Sequence, residues 1–368
     1  MRSAPLVTSL LLALACTPSP VSGDPDAGSG GSEGEGEGEG AAEGEGEPAH
    51  EGEGEGEGEP GEGEGEGDPA CSASPPEDPG TVTVEQQDHE LEVEGRTLAL
   101  TLLLPEQAGA AAVVVLHPGF QLGSADYRSY GEHLASHGVA AVLLDPPYAL
   151  FGGPTHVELA SMVSAILDWL EDESSGGALA GRVDAARVVL AGHSLGGKIA
   201  LLTATRDARP RGVFAIDPVD AAGGPGASPS ADNPSVTPEL MPLVNVPVAL
   251  VGETVNATCT GLFCQPCAPE AESFARYYEA AAGPAWQAEV LGANHMSFLD
   301  DPACGFTCNA CGAGTDDPVQ TRRLTRRWLT AFVAHLDGDA CARAWLAGAP
   351  MDAEVARGAV LTEQKQGF

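Results

Sequence analysis

A serine set between two glycines, with an apolar strand before it and a helix after it, constrains this chain more than any other feature. The residues are Gly192-His193-Ser194-Leu195-Gly196. Ahead of them, Arg187-Val188-Val189-Leu190-Ala191 is apolar and β-branched, as in a strand buried on both faces. Behind them, Gly197-Lys198-Ile199-Ala200-Leu201-Leu202 reads as a helix. A Gly-x-Ser-x-Gly segment at such a junction forms a sharp, strained turn that pushes the serine hydroxyl clear of the sheet. The flanking glycines are needed because side chains there would strike the neighbouring strand and helix. The same turn aims the backbone N–H of Leu195 and the positive end of the helix at the place where an oxyanion would form.

Not all of the 368 residues read as foldable. Residues 1–15 have a short charged start and an apolar core too short to span a bilayer, the pattern of a signal peptide. The segment ends in Leu12-Ala13-Leu14-Ala15-Cys16, which is similar to a bacterial lipobox with Cys16 as the lipidated residue. Membrane attachment is therefore expected only through an N-terminal lipid anchor. Thr17 in place of an aspartate after Cys16 favours the outer membrane or cell surface; a periplasmic or secreted protein is the alternative. Residues 16–77 read as a tether, with Glu-Gly alternation over 32–67 and almost nothing apolar to bury. Like charges along it favour extension. About half of the net charge of −37 sits there, so the folded part is only moderately acidic. No basic stripe is present to meet phosphates, which argues against nucleic acid as a partner.

Residues 78–368 are of a size that suits one α/β domain, expected to be a monomer. Alternation over 81–84 suggests a strand, and residues 91–93 and 98–104 a hairpin around Glu94-Gly95. Further strands are expected at 111–116, 139–144, 187–191, 212–216, 246–251 and 288–291. Helices are expected at 127–137, 157–170, 269–282 and 317–336, and a Gly/Pro/Ser-rich loop at 221–238. A hairpin followed by repeated β-α units gives a mostly parallel sheet with helices on both faces.

Setting Cys16 aside leaves eight cysteines of nine. Cys259, Cys264 and Cys267 form one cluster, and Cys304, Cys308 and Cys311 another. Each holds a C-x-x-C pair that zinc could use. In an exported protein disulfides are the expected state, with pairings that sequence does not choose.

A serine nucleophile needs a base to take its proton and a carboxylate to orient that base. In this kind of fold the chain order is serine, acid, histidine. Two histidines follow Ser194. His335 lies inside the closing helix, whereas His295, in Gly292-Ala293-Asn294-His295-Met296, lies in a loop after the last parallel strand and is the candidate base. Three carboxylates stand at strand ends: Asp217, Asp220 and Glu253. Asn256 holds the position where many such folds carry the acid, and an amide cannot support an imidazolium. Strand-end position leaves Asp217 and Glu253 both open. The loop Leu116-His117-Pro118-Gly119-Phe120 should supply the second oxyanion donor, the N–H of Phe120, with His117 structural. Phe120, Tyr148, Phe151 and Met296 are candidates to line an apolar acyl pocket.

Several segments together resemble the chlorophyllase family of α/β-hydrolases. They are residues 192–198 around Ser194, Ala215-Ile216-Asp217-Pro218-Val219, Pro266-Cys267-Ala268-Pro269, Asn294-His295-Met296 with Leu299-Asp300-Asp301, and His133-Leu134-Ala135-Ser136-His137-Gly138. The likeness runs from about residue 98 to 337 with these landmarks in order. It implies the α/β-hydrolase fold, a serine ester hydrolase, and Asp217 as the acid ahead of Glu253. Two departures matter. Leu195 stands where plant chlorophyllases usually carry arginine, and Pro118 gives a Pro-Gly-aromatic loop more similar to cutinase-like polyester hydrolases. The expectation is hydrolysis of a small or polymeric apolar ester through an acyl-enzyme, with no metal or organic cofactor. A non-catalytic surface binding protein and an acyltransferase using the same triad are the alternatives, together with a zinc-stabilised interaction module built on the cysteines.

Overall fold

A computed structural model of the chain describes residues 75–368 except 150–151, 224–226, 256, 258–265, 305–310 and 366. The expected signal peptide, Cys16, most of the tether and Phe151 lie outside the described residues, as do Cys71, Cys259, Cys264, Cys308 and Asn256. Among the described residues no helix is long and apolar enough to cross a membrane.

The chain enters through a hairpin, β1 (Val84–Val93) and β2 (Arg96–Pro105), whose turn places Glu94 and Gly95 at positive φ. Then follow β3 (Ala111–His117), α1 (Arg128–Ser136), β4 (Ala140–Asp145), α2 (His156–Gly176), β5 (Val183–His193) and α3 (Leu195–Ala204). The second half holds β6 (Gly212–Ile216), β7 (Val248–Glu253), α4 (Phe274–Ala280), β8 (Ala285–Val290), α5 (Pro318–Leu336), α6 (Ala344–Ala347), α7 (Ala349–Ala356) and β9 (Val360–Lys365). Among the described residues, nine strands form one sheet in the order β1-β2-β4-β3-β5-β6-β7-β8-β9. The run from β4 to β8 is parallel; β1, β2 and β9 are antiparallel additions at the edges.

The central strands are apolar throughout because both faces are covered. All seven residues of β3 are buried. Val113 and Val115 face the layer that holds Leu159 and Ile166 of α2 and Leu201 of α3. Val114 and Leu116 face the opposite layer, with Tyr130 of α1 and Trp328 and Phe332 of α5. Each such side chain contributes about 1.5–3 kcal/mol by leaving water. Helix α2 starts with a reciprocal cap. Thr155 accepts from the Glu158 N–H at 3.2 Å, and the Glu158 carboxylate accepts from the Thr155 N–H at 2.7 Å.

Strand order reverses beside β3: β4 lies on one side of it and β5 on the other. The carboxyl ends of β3 and β5 therefore flank a crevice, the place where open α/β sheets bind ligands.

Four expectations need correction. Residues 81–83 are not strand, because the Val82 N–H is bonded to the Ser136 carbonyl at the end of α1; β1 instead runs unbroken from Val84. The helix expected at 269–282 is a short 3-10 turn followed by α4, with Ser273 extended between them at ψ 173°. The last parallel strand starts at Ala285, three residues ahead of expectation, and α2 runs on to Gly176. α6, α7 and the edge strand β9 were not expected at all.

The start of the described chain is fastened to α1. His133 Nε2–H donates to the Pro76 carbonyl at 2.7 Å and His137 Nε2–H to the Asp78 carbonyl at 2.8 Å. The Gly80 N–H donates to Ser136 Oγ at 2.9 Å. Arg323 of α5 lies 3.3 Å from the Asp78 carboxylate.

Candidate active site

Ser194 sits between β5 and α3 at φ 56°, ψ −122°, a conformation that L side chains rarely adopt. The turn is held by the Ser194 N–H on the Ile216 carbonyl (2.9 Å) and by the Lys198 N–H on the Ser194 carbonyl (3.2 Å). Both flanking glycines are required sterically. A Cβ on Gly192 would lie 2.3 Å from the Gly196 carbonyl carbon, and one on Gly196 would lie 2.1 Å from the His117 carbonyl oxygen. Gly196→Ala is therefore expected to cost about 2–3 kcal/mol of folding stability by overpacking. Gly176→Ala, where an added Cβ meets nothing within 4 Å, should cost nothing. Urea unfolding of the two variants side by side checks this.

The site's side chains come from the ends of β5, β6 and β8. Ser194 Oγ–H donates to His295 Nε2 at 2.8 Å. His295 Nδ1–H donates to Asp217 Oδ2 at 2.5 Å. Asp217 follows β6 directly, also at positive φ (41°), with its N–H on the Val251 carbonyl at 2.6 Å. Asp217 is fully buried and His295 is 3% exposed. Burial lowers the His295 pKa from 6.5 to about 4, so the imidazole is the free base that a proton acceptor must be. Burial also pushes the Asp217 carboxyl up, and the bond from His295 Nδ1–H favours its anionic form.

The other two carboxylates are engaged elsewhere. Glu253 accepts from the Val255 N–H at 2.5 Å, within its own turn. Asp220 accepts from Ser235 Oγ (2.6 Å), the Val236 N–H (2.9 Å), and the Thr237 N–H (2.8 Å) and Oγ1–H (2.7 Å). It also pairs with the buried Lys198 ammonium at 3.1 Å. Lys198 Nζ donates in addition to the Ala221 carbonyl at 2.7 Å, so α3 grips the segment that follows Asp217. Nothing in the sequence pattern marked this pair except its place just after the serine turn.

The loop after β3 reaches the serine. A Cβ on Gly119 would lie 3.4 Å from Ser194 Cβ. The Gly119 N–H is taken up by the Tyr127 hydroxyl at 3.1 Å. Among the described residues, the N–H groups of Phe120 and Leu195 have no protein acceptor. His117 is buried at the strand end, with Nδ1–H on the Pro118 carbonyl at 2.9 Å, as a structural histidine would be. His335 is half-buried in α5, its ring 6.0 Å from that of Phe368.

Of the expected pocket residues, Phe120 is 52% exposed and meets Tyr148 edge-on at 5.5 Å. A cleft of about 430 Å³ adjoins them, lined by Gln121, Leu122, Gly123, Pro146, Tyr148 and Ala149. Met296 instead packs into the buried layer with α1 and α5.

Cys267 and Cys311 form a disulfide, and Cys304 and Cys341 are disulfide-bonded as well. These four are in the expected disulfide state, and the alternative zinc reading loses Cys267, Cys304 and Cys311 as thiolate ligands. His193, Asp217 and His295 bring three ligand-type atoms within 4.8 Å of one another. Every one of these residues is engaged in the hydrogen bonds of the serine site, which fits proton transfer rather than a metal centre.

A mostly parallel sheet with helices on both faces and a serine on the strand-to-helix turn beside the switch point defines an α/β-hydrolase fold. The chlorophyllase family model matches residues 78–347, and the chain belongs to that family. It is 30% identical over 215 residues to chlorophyllase-1 of Arabidopsis thaliana, covering 55% of this chain and 63% of that protein. It is 29% identical over 97 residues to cutinase 2 of Thermobifida cellulosilytica, covering 26% of this chain and 36% of that one. Cutinase cut1 of Thermobifida fusca shows the same identity over the same length, 29% of its own chain. The chain thus spans less than two thirds of these relatives.

Proposed function

We propose that the protein is a serine carboxylic-ester hydrolase that works through an acyl-enzyme on an apolar ester. The observation that carries this reading is the unbroken line Ser194 Oγ, His295, Asp217, at 2.8 and 2.5 Å. Ser194 attacks the ester carbonyl as its proton passes to His295 Nε2. Asp217 orients the ring through Nδ1–H and supports the imidazolium that forms. The tetrahedral oxyanion takes the unengaged N–H groups of Leu195 and Phe120. His295 then protonates the leaving alcohol, and water activated by the same nitrogen releases the acid. The substrate's apolar part lies along Phe120, Tyr148 and the adjoining cleft. Kinship with a chlorophyllase and with cutinases supports an ester bond as the target. The reading includes export, with Cys16 as a lipid anchor and the chain from there up to the fastened residues 76–80 as a tether, two residues shorter than the expected 16–77.

The test is covalent labelling of Ser194 by a fluorophosphonate probe, together with turnover of nitrophenyl esters graded by acyl size. A labelled serine with turnover supports a hydrolase. A protein that neither labels nor turns over any ester is a binding protein on a hydrolase scaffold.

The pH profile follows from His295. The base acts only when neutral, so activity is lost as pH falls through its pKa and is full above it. Burial places that pKa below the ordinary 6.5. We expect kcat/KM to be flat across neutral pH, with its acid limb below 6.5. A limb centred above 6.5 would contradict this.

A further inference from the structure

His193, the first of the two variable residues of the serine motif, is fully buried, and the chemistry above gives it no task. Tyr127, just ahead of α1, is equally buried. Together they form a relay whose direction can be deduced. His193 Nε2 lies 2.9 Å from the backbone carbonyl of His295. A carbonyl only accepts, so Nε2 carries the hydrogen. His193 is neutral, because burial holds its pKa well below 6.5, and Nδ1 must then be an acceptor. The group facing Nδ1 is the Tyr127 hydroxyl at 2.7 Å, which therefore donates to it. That leaves the phenol oxygen to accept the Gly119 N–H at 3.1 Å. Every donor and acceptor on the line is satisfied in one sense only: Gly119 N–H to Tyr127, Tyr127 O–H to His193, His193 N–H to His295.

These bonds join three segments that sequence holds far apart. Gly119 immediately precedes the oxyanion donor Phe120. His193 immediately precedes the nucleophile. The carbonyl of His295 belongs to the base itself, whose ring lies 4.6 Å from that of His193. We propose that Tyr127 and His193 are positioning residues that tie the oxyanion loop to the histidine loop through the serine turn, so that donor, nucleophile and base keep one mutual geometry. By taking up the Gly119 N–H, the relay also removes that group from competition with the Phe120 N–H next to it. This inference rests on the roles given to Ser194, His295 and Phe120 above.

The experiment uses the full chain and three variants: Tyr127→Phe, His193→Leu and His193→Gln. Kinetics on a nitrophenyl ester are referred to folded protein by near-ultraviolet circular dichroism. Tyr127→Phe keeps the ring and removes the hydroxyl, and His193→Leu breaks both bonds. For each, kcat is expected to fall on the order of ten- to a hundredfold through misplacement of the reacting groups. KM should stay within about twofold, since the groups moved act on the transition state. His193→Gln, which has an N–H to donate and an oxygen to accept, should recover most of the loss. In parallel, imidazole ¹⁵N resonances of the wild type should show His193 as the neutral Nε2–H tautomer from mildly acid to mildly alkaline pH. Its Nδ1 resonance should shift in Tyr127→Phe. Unchanged kcat in both Tyr127→Phe and His193→Leu overturns the inference, as does a charged or Nδ1–H His193. A wild type without ester turnover would refute the hydrolase reading instead, while the nitrogen resonances would still decide the relay.

Discussion

Ser194→Ala is expected to lower turnover of a nitrophenyl ester by on the order of a millionfold, to the residual level that binding and the oxyanion donors alone sustain. The size of the loss follows from the geometry. The hydroxyl is the nucleophile held against His295 Nε2 at 2.8 Å, and without it the base is left to activate water at a place shaped for Oγ. The fold should survive. The turn is held by backbone bonds to Ile216 and Lys198 and by the close approach of Gly196 to the His117 carbonyl, none of which uses Oγ. Stability should change by no more than about 1 kcal/mol. Fluorophosphonate labelling should vanish with the activity, and turnover at the wild-type rate would refute the assignment of Ser194.

Asp217→Asn should cost on the order of ten-thousandfold in kcat with the backbone intact. An amide fits the positive φ at this position, because asparagine is among the few residues that tolerate it. Its NH₂ can donate to His295 Nδ1, which would place the ring hydrogen on Nε2, where it blocks acceptance of the serine proton. The comparison is Glu253→Gln, whose parent carboxylate bonds to the Val255 N–H in its own turn and is expected to leave kcat within about threefold of wild type. A large loss in Glu253→Gln with a small one in Asp217→Asn would move the acid to β7.

The parallel strands were legible because the sheet is covered on both sides, so β3, β4, β6 and β7 read as short continuous apolar runs. The edge strand β9 has a single fully buried residue, Val360, and otherwise reads Leu-Thr-Glu-Gln-Lys, which no periodicity separates from a polar tail. The break at Ser273 was hidden because its neighbours are good helix formers and the extension lies in the backbone alone. In the site, the serine was marked by its glycines and His295 by elimination. The choice between Asp217 and Glu253 was not available from strand ends, since both close a parallel strand. The likeness of Ala-Ile-Asp-Pro-Val to the chlorophyllase segment favoured Asp217, but its physical reason is direction: Asp217 takes a positive φ that turns its carboxylate to the imidazole, which no residue pattern reveals. Tyr127 and His193 escaped for a related reason. A tyrosine and a histidine among apolar neighbours look like core, and only coordinates reveal that each bond between them runs one way.

The fastening of residues 76–80 onto α1 has a mechanical consequence. A tug on the chain ahead of Pro75 meets His133, His137 and Ser136 first, and Arg323 of α5 through Asp78. Force arriving from that side is absorbed by two helices on one flank before it reaches any strand. If the chain ahead of Pro75 is the tether proposed above, a load on it arrives at α1 and α5 and not at the carboxyl ends of β5 and β6, where Ser194 and Asp217 sit.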